Sequence, residues 1–250
     1  MSQNSSKFWH RASGVFGATL WVFLGFMLAQ AVLLAIFSIA GSLGVSFEGV
    51  NENVFNAAVT AIVYALAVAI VIGAPWLVKK KFTSLKDLGL QRLPTWLDIL
   101  AAPLGYMVYM VVAMVFMAIA IIALPFVDLQ QAQDVGFSNL FYNYEYILAF
   151  ICLVVLAPVA EEVLFRGYLL YNLRKRAPLW VAIFVTSLLF AVVHFSWNVG
   201  IDTFALSIVL CILRVVTKSL WAPILLHMLK NGLAFYLLFI NPSILNVLGG

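Results

Sequence analysis

The chain predicts an all-α, polytopic transmembrane helical bundle of about seven spans, within a range of six to eight. Three observations carry that expectation. Hydrophobic residues make up 65% of the 250 and charged residues 10%, where a soluble domain would be about a quarter charged. So much apolar surface cannot be hidden in one soluble core, which leaves lipid as the solvent. Apolar runs near the ~20 residues needed to cross ~30 Å of hydrocarbon recur along the chain, and the short loops between them alternate in charge.

Seven runs are read, over 16–40, 55–78, 99–124, 146–171, 178–198, 203–217 and 221–240. Before the first run, Lys7 and Arg11 resemble the basic start of a signal peptide, and Ala29-Gln30-Ala31 resembles a cleavage site. The run continues through Ala40, however, which is too long for a secretory segment and suits an uncleaved span. The sixth run is short, and is read as tilted, re-entrant or partly buried in protein. No repeat or Gly/Ser linker divides the chain, so residues 1–250 read as a single membrane-embedded domain.

The basic residues sort by loop. Lys7 and Arg11, then Lys79, Lys80, Lys81, Lys86 and Arg92, then Arg174, Lys175 and Arg176, then Lys218 with Arg214 nearby, fall on alternate loops. The intervening loops hold Glu48, Glu52, Asp128, Asp134, Glu145 and Asp202, with no Lys or Arg. The positive-inside rule then places the N-terminus in the cytoplasm and the C-terminus outside. The same distribution explains the net charge of +4 as an orientation signal and argues against nucleic acid as a partner. Trp76, Trp96, Trp180 and Trp221 at cytoplasmic ends, and Trp197 near an outer end, read as interfacial anchors. Cys152 and Cys211 lie within apolar runs and read as small core-filling residues without metal-type spacing.

Ionisable groups inside a span are costly and usually mark function. In Ala160-Glu161-Glu162-Val163-Leu164-Phe165-Arg166, Glu162 and Arg166 are i,i+4 with the acid first, the favourable order for an ion pair. Glu161 is rotated ~100° away and escapes that pair. Glu162 and Arg166 therefore read as a structural clamp, and Glu161 is left for chemistry. Pro158 removes a helix hydrogen bond just upstream and could open space for water. Phe190 and His194 share one face of the fifth run, and His227 and Asn231 one face of the seventh. The two acids are the only carboxylates inside the predicted spans, while His10 sits in the N-terminal tail and reads as solvated. Glu161, desolvated in the membrane, suits proton abstraction from water. His194 could hold or help deprotonate that water, and His227 and Asn231 could donate hydrogen bonds to an oxyanion.

Glu-Glu-x-x-x-Arg, Phe-x-x-x-His and His-x-x-x-Asn, in that order on successive helices, resemble the CPBP family. These are the CAAX proteases and bacteriocin-processing enzymes, also called Abi proteins or intramembrane glutamic endopeptidases, and the motifs are similar to those of the type II CAAX prenyl endopeptidase. The resemblance covers a core of about 150–240 and extends weakly to Leu85-Lys86-Asp87-Leu88-Gly89-Leu90. It implies a peptidase of a bacterial-type cell membrane acting on a membrane protein or peptide. Glu161 and His194 would activate water, His227 and Asn231 would form the oxyanion hole, and Glu162, Arg166 and Phe190 would support them. A metal is not expected, because His-Glu-x-x-His is missing and Asn is a poor zinc ligand. A divalent metal such as zinc, if present, would sit on Glu161, His194 and His227. The alternatives are a catalytically silent scaffold or regulator of the same family, and a proton-coupled transporter. One difficulty stands: the run boundaries put His194 ~24 Å and His227 ~9 Å from the cytoplasmic edge. The two can meet only if helices tilt or start at other depths.

Overall fold

The apolar runs fold as helices throughout the computed structural model, which describes residues 3–125 and 135–244, without the side chains of 3–8 and 79. The helices are α1 (Gln3–Ser42), α2 (Glu52–Val78), α3 (Leu85–Leu88), α4 (Trp96–Ala123), α5 (Asn143–Arg174), α6 (Leu179–Val192), α7 (Trp197–Thr217) and α8 (Trp221–Ile240). Among the described residues, α1, α2, α4, α5, α7 and α8 are long and apolar enough to cross a membrane. The chain is thus an all-α, multi-pass membrane bundle. Asp128 and Asp134, expected as outer-loop acids, lie outside the described residues, as do the side chains of Lys7 and Lys79.

Local chemistry sets the helix ends. Asn51 accepts from the Val54 N–H at 3.1 Å to open α2. Ser84 and Asp87 form a capping box on α3, and Thr95 and Asp98 form one on α4. Glu145 caps α5 by accepting from the Phe141 and Tyr142 N–H groups at 2.7 and 2.9 Å. These polar side chains take up N–H groups that have no partner inside their helix.

Two long helices widen where a proline follows. A π-helical turn at Ala69–Gly73 precedes Ala74-Pro75 in α2, and one at Ile151–Leu156 precedes Ala157-Pro158 in α5. Proline has no N–H, and its ring crowds the carbonyl one turn back. A wider turn moves that carbonyl aside and keeps the helix continuous. A second π stretch, Val163–Leu169, follows in α5. Glu161 and Glu162 therefore end a short α-helical segment held between two widened ones.

Two predicted boundaries change. The fifth run, 178–198, yields only the 14-residue α6, about 21 Å long and too short to cross. The sixth, expected to be the short one, is the 21-residue α7, which begins at Trp197. The chain reverses at 193–196, where Phe195 adopts a left-handed φ of 51°. His194 consequently sits in the turn after α6, not on its helical face.

The depth difficulty resolves at the start of α8. The turn before it is buried, with Ser219 and Leu220 both inaccessible, because α3 and residues 89–95 cover it. The Leu220 N–H donates to the Gly89 carbonyl at 2.9 Å, and Trp221 Nε1 donates to the Arg92 carbonyl at 2.7 Å. Arg214 Nη2 reaches the Asp87 carbonyl at 3.3 Å, while Asp87 itself accepts from the Tyr171 hydroxyl on α5. Hydrogen bonds from Tyr171 and then Ser84 hold the Asp87 carboxyl down at about 2. Its contribution to this cap is therefore present above the ordinary carboxylate range and lost as pH falls toward that value. α8, whose bounds match the run read over 221–240, thus begins inside the protein. Trp221 is half-buried and makes a cap contact, whereas Trp76, Trp96, Trp180 and Trp197 are exposed. Arg214, expected near a loop, is buried in the last turn of α7. His10 is exposed, but on α1 and not in a tail.

Gly89 closes α3 at φ 86°, and a Cβ there would lie 2.6 Å from the Arg214 guanidinium carbon. Gly49 has φ 83° with nothing within 4 Å of a Cβ. Gly89→Ala and Gly49→Ala both incur the left-handed backbone cost of about 1–2 kcal/mol, but only Gly89→Ala also displaces Arg214. The thermal unfolding midpoint in detergent should fall distinctly further for Gly89→Ala. Equal midpoints would show that the cap does not depend on this approach.

Candidate active site

The π turns and the deep start of α8 bring the acids of α5 level with His227. Glu162 is fully buried. Its Oε1 accepts from Arg166 Nη1 at 2.9 Å and from His227 Nδ1 at 2.9 Å. Arg166, also fully buried, lies with its guanidinium 4.3 Å from the centre of the Phe190 ring, a cation–π contact in a desolvated place. The Phe190 ring stands edge-on to both imidazoles, 4.9 Å from His194 and 5.9 Å from His227 between centroids. Phe190 thus touches three of the polar side chains singled out from the sequence.

Glu161 faces the other way. Its side chain is 13% exposed, and its Oε2 lies 3.8 Å from His227 Nε2. Its Oε1 accepts a hydrogen bond from the Tyr64 hydroxyl on α2. Tyr64, Glu161, His194, His227, Lys230 and Asn231 line one cavity of about 450 Å³, walled on the far side by Phe26 and Gln30 of α1. Ala29-Gln30-Ala31 therefore lies mid-helix, with Gln30 on the cavity wall.

The hydrogen bonds fix the tautomers. His194 Nδ1 donates to the Phe190 carbonyl at 2.7 Å, which leaves Nε2 with a lone pair in the neutral ring. His227 Nδ1–H is committed to Glu162, so its neutral Nε2 is also an acceptor. Asn231 Nδ2 donates to the Leu153 carbonyl at 2.9 Å, in the widened turn of α5, and retains a second N–H. Among the described residues no three His, Cys, Asp or Glu side chains converge as a metal site.

Four residues of this neighbourhood escaped the sequence reading. Tyr64 was one. Lys230 on α8 pairs with Asp202 at 3.2 Å, and the Tyr109 hydroxyl on α4 donates to Asp202 at 2.5 Å. Asp202, expected in an outer loop, lies within α7, so Glu161 and Glu162 are not the only carboxylates inside the bundle. Signals were present: a tyrosine in mid-run, away from the interfaces where tyrosines gather, and a lysine inside the predicted seventh span. A second pocket of about 660 Å³ is apolar, is formed by α4, α6 and α7, and shares Phe195 with the first. No titratable side chain lines it, so the capacity for chemistry belongs to the smaller cavity.

Comparison with known proteins bears on the same helices. Residues 143–233 match the Rce1-like family, type II CAAX prenyl endopeptidases. This Rce1-like segment runs from the start of α5 into α8, and it contains Glu161, Glu162, Arg166, Phe190, His194, His227 and Asn231 but not Tyr64. The chain is also 33% identical over 87 residues to an uncharacterized 24.3 kDa protein of Escherichia coli. That similarity covers 33% of this chain and 40% of the relative's length. No solved structure matches the chain.

The burial of Glu162 generates a stability prediction. Arg166→Met would leave a buried carboxylate without its cation, and should cost about 3–5 kcal/mol. Adding Glu162→Gln removes the unpaired charge and should recover a large part of that loss. Thermal unfolding of the two single variants and the double variant in detergent measures the coupling. Additive losses would show that the clamp does not act as a pair.

Proposed function

We propose that this chain is an intramembrane endopeptidase that hydrolyses a peptide bond of a membrane-associated protein or peptide. The observation that carries the reading is the convergence of Glu161, His194, His227 and Asn231, from three separate stretches of chain, on one cavity. Membership of Glu161, His194, His227 and Asn231 in the Rce1-like segment supports it. The prenyl endopeptidases of that family suggest a prenylated CAAX tail as one substrate class. Peptide precursors and other membrane proteins are further candidates. The positive-inside pattern supports a cytoplasmic N-terminus in a bacterial-type cell membrane.

The residues supply a complete proton balance. Water bound beside Glu161 and His194 loses a proton to Glu161, and its oxygen attacks the peptide carbonyl carbon. The carbonyl π electrons move onto oxygen, and the oxyanion is held by the second N–H of Asn231 and by His227. Because His227 Nδ1–H is engaged by Glu162, it can donate to the oxyanion only as the doubly protonated ring, from Nε2. Collapse of the tetrahedral intermediate breaks the C–N bond, and the departing amine takes the proton held on Glu161. No step of this scheme is routed through a metal.

Membrane peptidomes of cells carrying the wild-type chain or Glu161→Ala provide the test. A processed peptide missing only in the variant is the expected result and names the substrate. Identical peptidomes across growth conditions would sink the peptidase reading, and a retained cellular role in Glu161→Ala would favour a scaffold. With a substrate in hand, Asn231→Ala should lower kcat by about 10²–10³ with KM little changed. Purified enzyme treated with a divalent-metal chelator should keep its turnover. Loss of activity that zinc restores would overturn the metal-free mechanism.

A further inference from the structure

The acid assigned to water activation is held from outside the Rce1-like segment. Tyr64 lies on α2, more than seventy residues before that segment begins, yet its hydroxyl donates to Glu161 Oε1. α1 braces α2 in turn. The Phe26 ring packs at 6.2 Å from the Tyr64 ring, and Trp21 Nε1 donates to the Val71 carbonyl at 3.0 Å. Gly25 lets α1 approach so closely that a Cβ there would lie 2.5 Å from the Val71 side chain. The tyrosine is thus placed by two packed helices and not by a loop.

We infer that Tyr64 is a positioning residue for Glu161, fixing the carboxylate so that one oxygen is occupied and the other faces His227 and the cavity. This rests on the peptidase reading of Glu161. The physical need is specific. A carboxylate has two equivalent oxygens and rotates about its terminal bond with little preference. Glu162 is locked by Arg166 and His227 at 2.9 Å each, whereas Glu161 meets His227 only at the longer distance of 3.8 Å. In the same cavity Lys230 and His227 offer competing positive or donor groups. A hydrogen bond donated to Oε1 by a group that stays neutral selects one rotamer without adding a charge beside the acid. Orientation of this kind is what a general base needs before a bound water can be aligned with it. The consequence is that α1 and α2 complete the site, and that the α5–α8 segment lacks one of its determinants.

Infrared difference spectroscopy of the full chain in liposomes tests this without any substrate. The carboxylate bands of Glu161 are those lost on comparing wild type with Glu161→Gln. In Tyr64→Phe, which keeps the ring and removes only the hydroxyl, these bands should shift. Replacing Tyr64 by 3-fluorotyrosine, a stronger donor, should shift them in the opposite direction, and this second variant keeps the test open if Tyr64→Phe does not fold. Bands at the wild-type position in the variants would overturn the inference. The peptidase reading fails separately, through an unchanged peptidome in Glu161→Ala cells, and that outcome leaves the spectra readable.

Discussion

One oxygen of one buried carboxylate organises the centre of this protein. Glu162 Oε1 accepts from both Arg166 and His227 at 2.9 Å, with none of the acid or guanidinium exposed. An unpaired charge at that depth would cost several kcal/mol, so the pair and the imidazole are mutually required. Three consequences follow from this single atom. It ties α5 to α8 at a fixed height, it commits His227 Nδ1 as a donor, and it turns the adjacent Glu161 toward the cavity. Two identical side chains, one residue apart, thereby acquire opposite environments. The buried one is an anchor, and the one that reaches the cavity is available for chemistry.

The backbone makes that height possible. A straight α5 packed against an α8 that began at the membrane edge would set the acids and His227 at different levels. Two features remove the mismatch. The π turns around Ala157–Glu162 widen the helix at the acids, and the widened turn exposes the Leu153 carbonyl to Asn231. The short α3 and the strand of chain after Gly89 cover the start of α8, so that helix can begin well inside the bundle with its polar turn satisfied. The Leu85–Leu90 segment thus has a structural role: it seals the turn that precedes His227.

Fold class was legible because composition alone forbids a soluble core of this kind, and the loop charges marked most of the boundaries. The failures have one cause. Hydropathy registers apolarity and is blind to where backbone direction changes. Val192, Val193, Phe195 and Trp197 keep the run apolar straight through a left-handed reversal, so α6 was read as a full span and α7 as a fragment. The start of α8 was read at the right residue, but its burial was not, because a helix end sealed by protein looks in sequence like one at the membrane surface. At the site, the motif residues were legible from i,i+4 spacing and from the cost of charge in lipid. Tyr64 and the Asp202–Lys230 pair were not. A tyrosine counts as apolar within a run, and Asp202 fell just outside a span whose beginning had been set too late.

The same blindness explains why the part of the site supplied by α1 and α2 leaves so little trace in the sequence. Side chains that perform chemistry in a membrane are conspicuous, since each carries charge or polarity into a place where it is costly. Side chains that exclude lipid or orient another group need no charge. Phe26, Gln30 and Tyr64 wall the cavity opposite His227 and Asn231, and two of the three are aromatic residues unremarked in an apolar helix. The burial of Glu161 depends on that wall as much as on α5 and α8. If α1 and α2 were drawn away, Glu161 would be open to lipid or bulk water while the Glu162 clamp remained intact. The clamp sets where the acid is, and the first two helices set what medium it works in.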